Sequence, residues 1–475
     1  MRYLLKNFSW VNLLLFRASP AILIFASLPE TGRAQSLRVS DNQRYLVVSE
    51  ASTGQNQPFF WLGDTAWELF HRLDLTEAER YLKKRAEQGF TVIQAVLLSE
   101  LDGLNTPTPE GFKPLKNKDP AKPDPDYFKK VDAIIDLAGK YGLYIGLLPT
   151  WGDKVNGDKG AAIFNPDNAR TYGQFLGNRY KNKNNIIWIL GGDRTVEKQE
   201  FLAIWRAMAV GVTEGIGGAD KGVITFHPRG GRSSSTEFHQ DAWLDFNMLQ
   251  TGHCRETMEH HKVFEDYQLT PVKPVINGEP IYEEHPVCFN LKDMGYSTPY
   301  DIRKAAYLSV FGGAFGHTYG VHAVWQFFDT NRKPVNFAPK PWHESLDLAG
   351  ANQLKHLKTL MLSRPYLDRF PNQNLLSEAD CNTTLIQATQ GKDYVFVYSA
   401  QGKPFTLSMG KISGEKVVAN WFNPRTGECK DAGSFNNTGQ QLFTPPAVGR
   451  EGLDWVLIVD DAAKNYPLPV AAKMK

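Results

Sequence analysis

Short apolar runs recur along the first two-thirds of the chain, and longer stretches with the period of an amphipathic helix lie between them. The runs are at residues 59–62, 91–98, 144–148, 185–190, 223–226, 246–249, 274–277 and 321–327. Their mean spacing of about 37 residues fits one strand–helix–strand unit. Strands that are apolar on both faces are typical of a buried parallel sheet. The pattern therefore predicts an α/β fold, a (β/α)8 TIM barrel.

The stretches between the runs predict the helices of this barrel. Thr76, with Glu79 three residues later, has the form of a capping box at a helix N-terminus. The other predicted helices span residues 126–140, 168–179, 197–210, 256–267 and 299–311. A last stretch ending at Leu362 carries an apolar stripe, so we expect it to pack against the barrel and close it.

Helical periodicity is absent after Pro365, and alternating polar and apolar positions replace it. The alternating segments are residues 393–398, 416–421 and 455–459. The cluster Asn423 to Gly427 is typical of a turn. These features predict a small antiparallel β-sandwich of about 100 residues. We therefore divide the chain into an N-terminal segment at 1–34, the barrel at 35–365 and the β-sandwich at 366–475.

The N-terminal segment has the features of a secretory signal. Arg2 and Lys6 give it a basic start, an apolar stretch follows, and Gly32-Arg33-Ala34 offers a cleavage site. Arg17 interrupts the apolar stretch, which leaves an uncleaved anchor as the alternative. No later stretch is long and apolar enough to span a bilayer. We expect a periplasmic or secreted bacterial protein with no stable membrane insertion after signal cleavage.

Charge and composition exclude several classes of protein. Lys and Arg number 53 against 51 Asp and Glu, so the net charge of +2 gives no reason to expect a nucleic-acid partner. Hydrophobic residues make up 42% of the chain and charged residues 22%, as in ordinary globular proteins. The 12% of aromatic residues suits a site that stacks sugar rings, although core packing alone also accounts for them. We expect a monomer.

The four cysteines and the known cofactor motifs give no sign of a metal or a cofactor. Cys254, Cys288, Cys381 and Cys429 form no C-x-x-C pair, so a zinc site is not expected. Cys381 and Cys429 lie in the same predicted domain and either pair with each other or remain buried thiols. The chain has no P-loop, no dinucleotide-binding glycine pattern and no H-E-x-x-H motif.

Two carboxylates follow buried strands at the end of the barrel where active sites lie. Asp193 follows the fourth apolar run and two glycines. Glu279 follows the seventh apolar run, which ends at Asn277, with only Gly278 between them. A carboxylate pair with aromatic neighbours and no metal cluster is the equipment of glycoside hydrolysis. Either acid could instead cap a helix or form a salt bridge, as Asp193 could with Arg194. Glu283 and Glu284 compete with Glu279 for the same role.

Further side chains at the same strand ends are candidates for substrate binding: Asp64, Trp67, Trp151, His227, Arg229, His253, Tyr282 and Trp325. The tryptophans could stack on sugar rings or simply pack over the barrel. His227 and Arg229 could bind hydroxyls or an acidic neighbouring sugar. His253 could orient the nucleophile, and Asp64 could bind a hydroxyl or cap a turn.

Four segments of the chain resemble the apiosidase-like bacterial proteins of glycoside hydrolase family 140. They are Phe60 to Trp67, Trp188 to Asp193, Asn277 to Pro280 and Trp342 to Ala351. The tail resembles the small domain, labelled as collagen-binding, that accompanies these barrels. The resemblance implies an enzyme that removes the branched pentose apiose from rhamnogalacturonan-II side chains of plant pectin. It also implies that Asp193 is the acid/base and Glu279 the nucleophile.

The sequence thus predicts a secreted, exo-acting glycosidase, and the resemblance implies that its partner is a plant cell-wall oligosaccharide. Strand four of retaining barrels usually ends Asn-Glu, whereas here it ends Gly-Asp, so the acid is one methylene shorter. We nevertheless expect the close carboxyl spacing of a retaining enzyme. Two alternatives stay open at this point: a glycosidase that acts on another glycan, and a non-catalytic protein that binds glycan or matrix.

Overall fold

The computed structural model describes residues 35–50, 55–381, 385–450 and 452–469. The predicted signal at 1–34 lies outside the described residues. Within the described part, no helix combines the length and the apolar character needed to cross a bilayer.

A small antiparallel sheet precedes the barrel. Its strands are β1 (Gln35–Val39), β2 (Leu46–Glu50) and β3 (Asn56–Phe59), paired in that order. The sequence pattern did not separate this sheet from the barrel, because its strands are short and only partly apolar. It leads directly into the first barrel strand.

The barrel contains the parallel strands that the apolar runs predict. They are β4 (Trp61–Thr65), β5 (Val92–Val96), β6 (Tyr144–Leu148), β7 (Ile186–Gly191), β8 (Ile224–His227), β10 (Asn247–Gln250), β11 (Val275–Glu279) and β12 (Gly316–Tyr319). The two-residue strand β9 (Arg232–Ser233) pairs antiparallel with β10. The described sheet runs from β8 through β4 and β12 to β10. The Thr225 hydroxyl donates to the Phe246 carbonyl at 2.6 Å and joins its two ends, so the (β/α)8 fold is confirmed.

The eighth strand is not where the hydrophobic pattern places it. Residues 321–327 were expected to form it, but β12 is Gly316–Tyr319, and Trp325 ends the short helix His322–Trp325. The strand escapes a hydrophobicity criterion because its buried side chains include His317 and Thr318. The apolar run after it folds instead as a cover over the barrel mouth.

Helices surround the barrel close to the predicted ranges, and one further short helix, Glu378–Cys381, belongs to the C-terminal region. The α-helical segments are α1 (Leu69–Arg72), α2 (Leu75–Glu87), α3 (Pro125–Lys140), α4 (Asp153–Asn156), α5 (Pro166–Tyr180), α6 (Gln199–Ile216), α7 (Ser235–Phe238), α8 (Glu259–Tyr267), α9 (Leu291–Met294), α10 (Pro299–Phe311), α11 (His322–Trp325), α12 (Ala349–Leu362) and α13 (Glu378–Cys381). The capping box of α2 is formed by Asp74 and Glu77, so the expectation of Thr76 and Glu79 was wrong by two residues. Aspartate accepts the N3 amide as well as threonine would.

The C-terminal region is antiparallel, as the alternation predicts. Its strands are β13 (Phe370–Pro371), β14 (Ile386–Gln390), β15 (Tyr394–Ser399), β16 (Phe405–Ser408), β17 (Lys416–Phe422), β18 (Cys429–Asn436), β19 (Gln440–Phe443) and β20 (Trp455–Asp461). The larger sheet has the order β13-β14-β15-β20-β17-β18, and β16 pairs with β19. Val397, Leu457 and other buried side chains fill the space between the two sheets.

The C-terminal region packs on α10 of the barrel. Tyr307 and Tyr398 stack with ring centroids 4.9 Å apart. Beside them, Arg303 forms a two-pronged ion pair with Asp454, and both side chains are almost fully buried. The barrel core continues through these contacts into the larger C-terminal sheet.

The disulfide joins a different pair of cysteines from the one considered above. Cys254 is bonded to Cys288, and Cys429 is a free, half-buried thiol. Of the two alternatives left open for Cys381 and Cys429, the bond between them is therefore excluded, and Cys429 has the free thiol of the other alternative. Shared domain membership suggested that pair, but the bonded cysteines come from two loops that meet at the barrel mouth.

Candidate active site

A sharp turn places Asp193 at the carboxyl end of β7. Gly191, Gly192 and Asp193 have φ values of 88°, 126° and 41°, a run that glycine adopts far more readily than other residues. A Cβ on Gly191 would lie 2.3 Å from the His227 carbonyl oxygen, and one on Gly192 would lie 2.6 Å from the Trp151 ring. The two glycines therefore let the chain turn between strands and aim the carboxyl group into the barrel mouth.

Glu279 is the last residue of β11 and is surrounded by three polar side chains. The Tyr282 hydroxyl donates to Glu279 Oε1 at 2.6 Å, and His253 Nε2 lies 3.4 Å from the same oxygen. His227 Nε2 lies 2.9 Å from Glu279 Oε2. Burial alone would raise the pKa of Glu279, but the two histidines outweigh it and hold the pKa below its ordinary value. Glu279 is thus kept as a carboxylate.

His227 links the two acids. The backbone N–H of Asp193 donates to His227 Nδ1 at 3.4 Å, so this nitrogen acts as an acceptor. In a neutral ring the proton then lies on Nε2, the nitrogen that faces Glu279. The imidazole is fully buried and therefore fixes the position of the Asp193 backbone relative to the Glu279 carboxylate.

Asp193 has the opposite electrostatic setting. Burial raises its pKa above the ordinary value, and the charge of Glu279 raises it further, against the lowering effect of Arg194. The Arg194 guanidinium donates to Asp193 Oδ2 at 3.0 Å, while the Gly230 N–H donates to Oδ1 at 3.3 Å. Two carboxyl groups whose pKa values are pushed apart in this way can hold a proton on one group and a negative charge on the other, as acid chemistry beside an ionised carboxylate requires.

Both carboxyl groups line a cavity of ≈ 210 Å³ at the barrel mouth. Its walls include Trp67, Trp151, Trp325, His253 and Tyr282. The Trp67 and Trp151 rings lie 5.1 Å apart and meet at 54°. Aromatic walls and few convergent polar groups are typical of a small-molecule site, and this volume is small for one.

Most of the predicted site residues converge on this cavity, but Asp64, His227 and Arg229 do not line it. His227 is fully buried and contacts Glu279 and the Asp193 backbone instead of the cavity. Asp64 is fully buried on the outer side of β4, where it accepts from Arg85 and Tyr81 at 2.6 Å each. Such a carboxylate has no surface to offer a substrate. Arg229 lies outside the cavity with a 43% exposed side chain that pairs with Glu197 at 3.3 Å. Its neighbour Gly230 reaches Asp193 through the backbone.

The structure adds wall residues that the sequence did not single out: Glu100, Lys159, His285, Phe289, Val335 and Asn336. Glu100 accepts from Arg194 at 2.6 Å and so completes a chain of charges to Asp193. These residues come from long loops after the strand ends. In such loops, the position of a residue along the chain does not indicate where its side chain points. No group of His, Cys, Asp and Glu in the described ranges has the arrangement of a metal site.

Comparisons with known proteins agree with this geometry. The family described as "Apiosidase-like, catalytic domain" matches residues 40–368, and the one described as "Putative collagen-binding domain of a collagenase" matches 370–460. No curated protein matches the chain. A solved structure titled "Glycoside hydrolase" is 36% identical, with a TM-score of 0.79 over 91% of this chain and 98% of that one.

A second solved structure supports the same assignment. The glycoside hydrolase family 5 protein from Bacteroides vulgatus is 33% identical, with a TM-score of 0.83. The match covers 92% of this chain and 96% of that one. The chain therefore belongs to the apiosidase-like family and is a glycoside hydrolase.

Proposed function

We propose that this protein is a retaining, exo-acting apiosidase that removes apiose from rhamnogalacturonan-II side chains of pectin, as a monomer in the periplasm or outside the cell. The observation that carries the proposal is the pair of carboxyl groups with opposed pKa shifts in one small cavity. Family membership supports apiose as the sugar. Asp193 is one methylene shorter than the glutamate usual at this strand end, so the bond to be cleaved must lie closer to the backbone at the end of β7.

The proposed reaction has two steps. Asp193 gives its proton to the glycosidic oxygen while the Glu279 carboxylate attacks the anomeric carbon, which breaks the glycosidic bond and forms a glycosyl ester. Asp193, now a carboxylate, then takes a proton from water as the water attacks the same carbon and releases Glu279. The Tyr282 hydroxyl and the two histidines hold Glu279 in place, and they stabilise its charge before attack and after release.

The dimensions of the cavity support the proposal of exo action. A volume of ≈ 210 Å³ accommodates one sugar ring, and it is below the range that larger ligands fill. The remaining chain of a substrate must therefore leave through the mouth. Lys159 on the cavity wall and Arg229 outside it are exposed cations, and both suit an anionic polymer such as pectin.

The test is the analysis of sugars released from rhamnogalacturonan-II oligosaccharides by the purified protein. We expect free apiose, and proton NMR during the reaction should first show the anomer with the configuration of the substrate. Glu279→Gln should release nothing and serves as the control for contaminating enzymes. Release of another monosaccharide, or of apiose with inverted configuration, would contradict the substrate or the retaining mechanism respectively.

A further inference from the structure

Phe289 is an aromatic side chain of the cavity wall that the reaction at a single sugar ring does not use. It lines the cavity and yet remains 60% exposed, whereas the three tryptophans of the wall are buried. Its ring contacts His253 and His285 edge-on, with centroids 5.6 and 4.9 Å apart. One edge of the ring is therefore fixed by the site, and the rest of it faces the opening.

The backbone around Phe289 is strained. Cys288 and Phe289 have φ values of 50° and 60°, in the left-handed region that bulky residues rarely adopt. Such conformations persist where the surroundings enforce them, and they cluster at functional sites.

Three bonds enforce this conformation. The disulfide ties Cys288 to Cys254, the Cys288 N–H donates to the His253 carbonyl at 2.8 Å, and the Phe289 N–H donates to the Pro286 carbonyl at 2.9 Å. The disulfide thus joins the loop that carries Phe289 to the loop that carries His253, a contact of the nucleophile.

We propose that Phe289 is a stacking platform for the first sugar ring of the leaving group, held in place by the Cys254–Cys288 disulfide. The inference rests on the proposed function, since the cleaved sugar must fill the cavity for the next ring to lie at the mouth. Sugar rings present an apolar C–H face, and an exposed aromatic ring binds such a face by dispersion and burial. Phe289 would then favour substrates that carry a sugar on the reducing side of the cleaved bond.

The experiment compares two substrates that share the cleaved sugar. One is the oligosaccharide, and the other is apiosyl fluoride, whose leaving group is too small to reach Phe289. Phe289→Ala should lower kcat/KM about tenfold on the oligosaccharide, the effect of losing one aromatic contact, and leave the fluoride reaction unchanged. Phe289→Tyr should keep the wild-type rates. Phe264→Ala, which removes a 40% exposed ring on the outer helix α8, is the matched control.

The possible outcomes distinguish failure of the Phe289 proposal from failure of the proposed function. Equal losses on both substrates, or no loss on either, would overturn the platform role of Phe289. The double variant Cys254→Ser, Cys288→Ser should show a smaller loss that is again confined to the oligosaccharide, and wild-type rates on both substrates would show that the disulfide does not hold the ring. If the wild-type protein cleaves neither substrate, the proposed function itself is wrong.

Discussion

Asp193 and Glu279 differ in the groups that surround their carboxyl oxygens, and this difference predicts different responses to mutation. Glu279→Gln should reduce the rate by several orders of magnitude on every substrate, because it removes the carboxylate that we propose attacks the anomeric carbon. Asp193→Asn should lower kcat/KM on the oligosaccharide about 10²–10⁴-fold, but much less on a glycosyl fluoride, whose departure needs no proton.

The matched control for these variants is Glu284→Gln. Glu284 is close in sequence to Glu279 but pairs with Lys340 at 2.8 Å and does not line the cavity. The Glu284→Gln variant should therefore have the same rates as the wild type. Near-normal turnover by Glu279→Gln or Asp193→Asn on the oligosaccharide would remove that residue from the mechanism.

The raised pKa of Asp193 predicts how activity changes on the basic side of the pH profile. Asp193 must carry a proton to act, so kcat/KM on the oligosaccharide should fall as pH rises through its pKa. Arg194 lowers that pKa, and Arg194→Met should therefore move the fall to higher pH. The fluoride reaction, measured in the same buffers, should lack this fall. If Arg194→Met leaves the fall of kcat/KM at basic pH unchanged, or moves it to lower pH, then a group other than Asp193 controls that fall.

The sequence predicted the position of a side chain at the barrel mouth for Asp193 and Glu279, and it misplaced the side chain of Asp64. Asp193 and Glu279 follow buried strands, so their place at the barrel mouth could be derived. Asp64 carries the same signal, but its side chain points outward to Arg85. A single sequence does not reveal which side of a strand end a carboxylate takes, because the partner lies 21 residues away on α2.

At the scale of elements, seven of the eight apolar runs predict the barrel strands and the eighth does not. The first seven succeed because helices cover their outer faces and side chains fill the barrel, so both faces are apolar. In β12 a polar side chain is satisfied inside the barrel instead, since Trp61 Nε1 donates to Thr318 Oγ1 at 3.0 Å. A hydrophobicity pattern cannot anticipate that pairing.

The buried ion pair between Arg303 of α10 and Asp454 of the C-terminal region should contribute strongly to the stability of the fold. Asp454→Ala should lower the free energy of unfolding by about 3–5 kcal/mol, because Arg303 would remain buried without its carboxylate partner. Lys129→Ala is the control, since its pair with Asp126 is exposed and contributes about 0–1 kcal/mol. Denaturant unfolding of the full chain measures both. A loss below 1 kcal/mol for Asp454→Ala would show that water reaches Arg303.

At the scale of the whole molecule, the barrel and the C-terminal region share one apolar core. The buried cluster that includes Phe311 of α10 extends to Phe396 and Ile458 of the larger C-terminal sheet. Arg369 adds a polar connection, since its guanidinium donates to the carbonyls of Val310 and Ala314 at 2.7 and 2.8 Å. Among the residues that the structure describes, none of the C-terminal region lines the cavity. The C-terminal region instead covers α10.

Removal of the C-terminal region should therefore destabilise the barrel without touching the chemistry. A fragment of residues 35–365 would expose the apolar face of α10 and lose the partner of Arg303, and such a surface promotes aggregation. We expect a lower Tm and self-association on size-exclusion chromatography, while any folded fraction keeps the kcat of the full chain on apiosyl fluoride. The control is the longer chain of residues 35–475, which keeps the C-terminal region. A monomeric fragment with the Tm of that chain would show that the shared core is dispensable, and a folded fragment without activity would place a catalytic contribution in the C-terminal region.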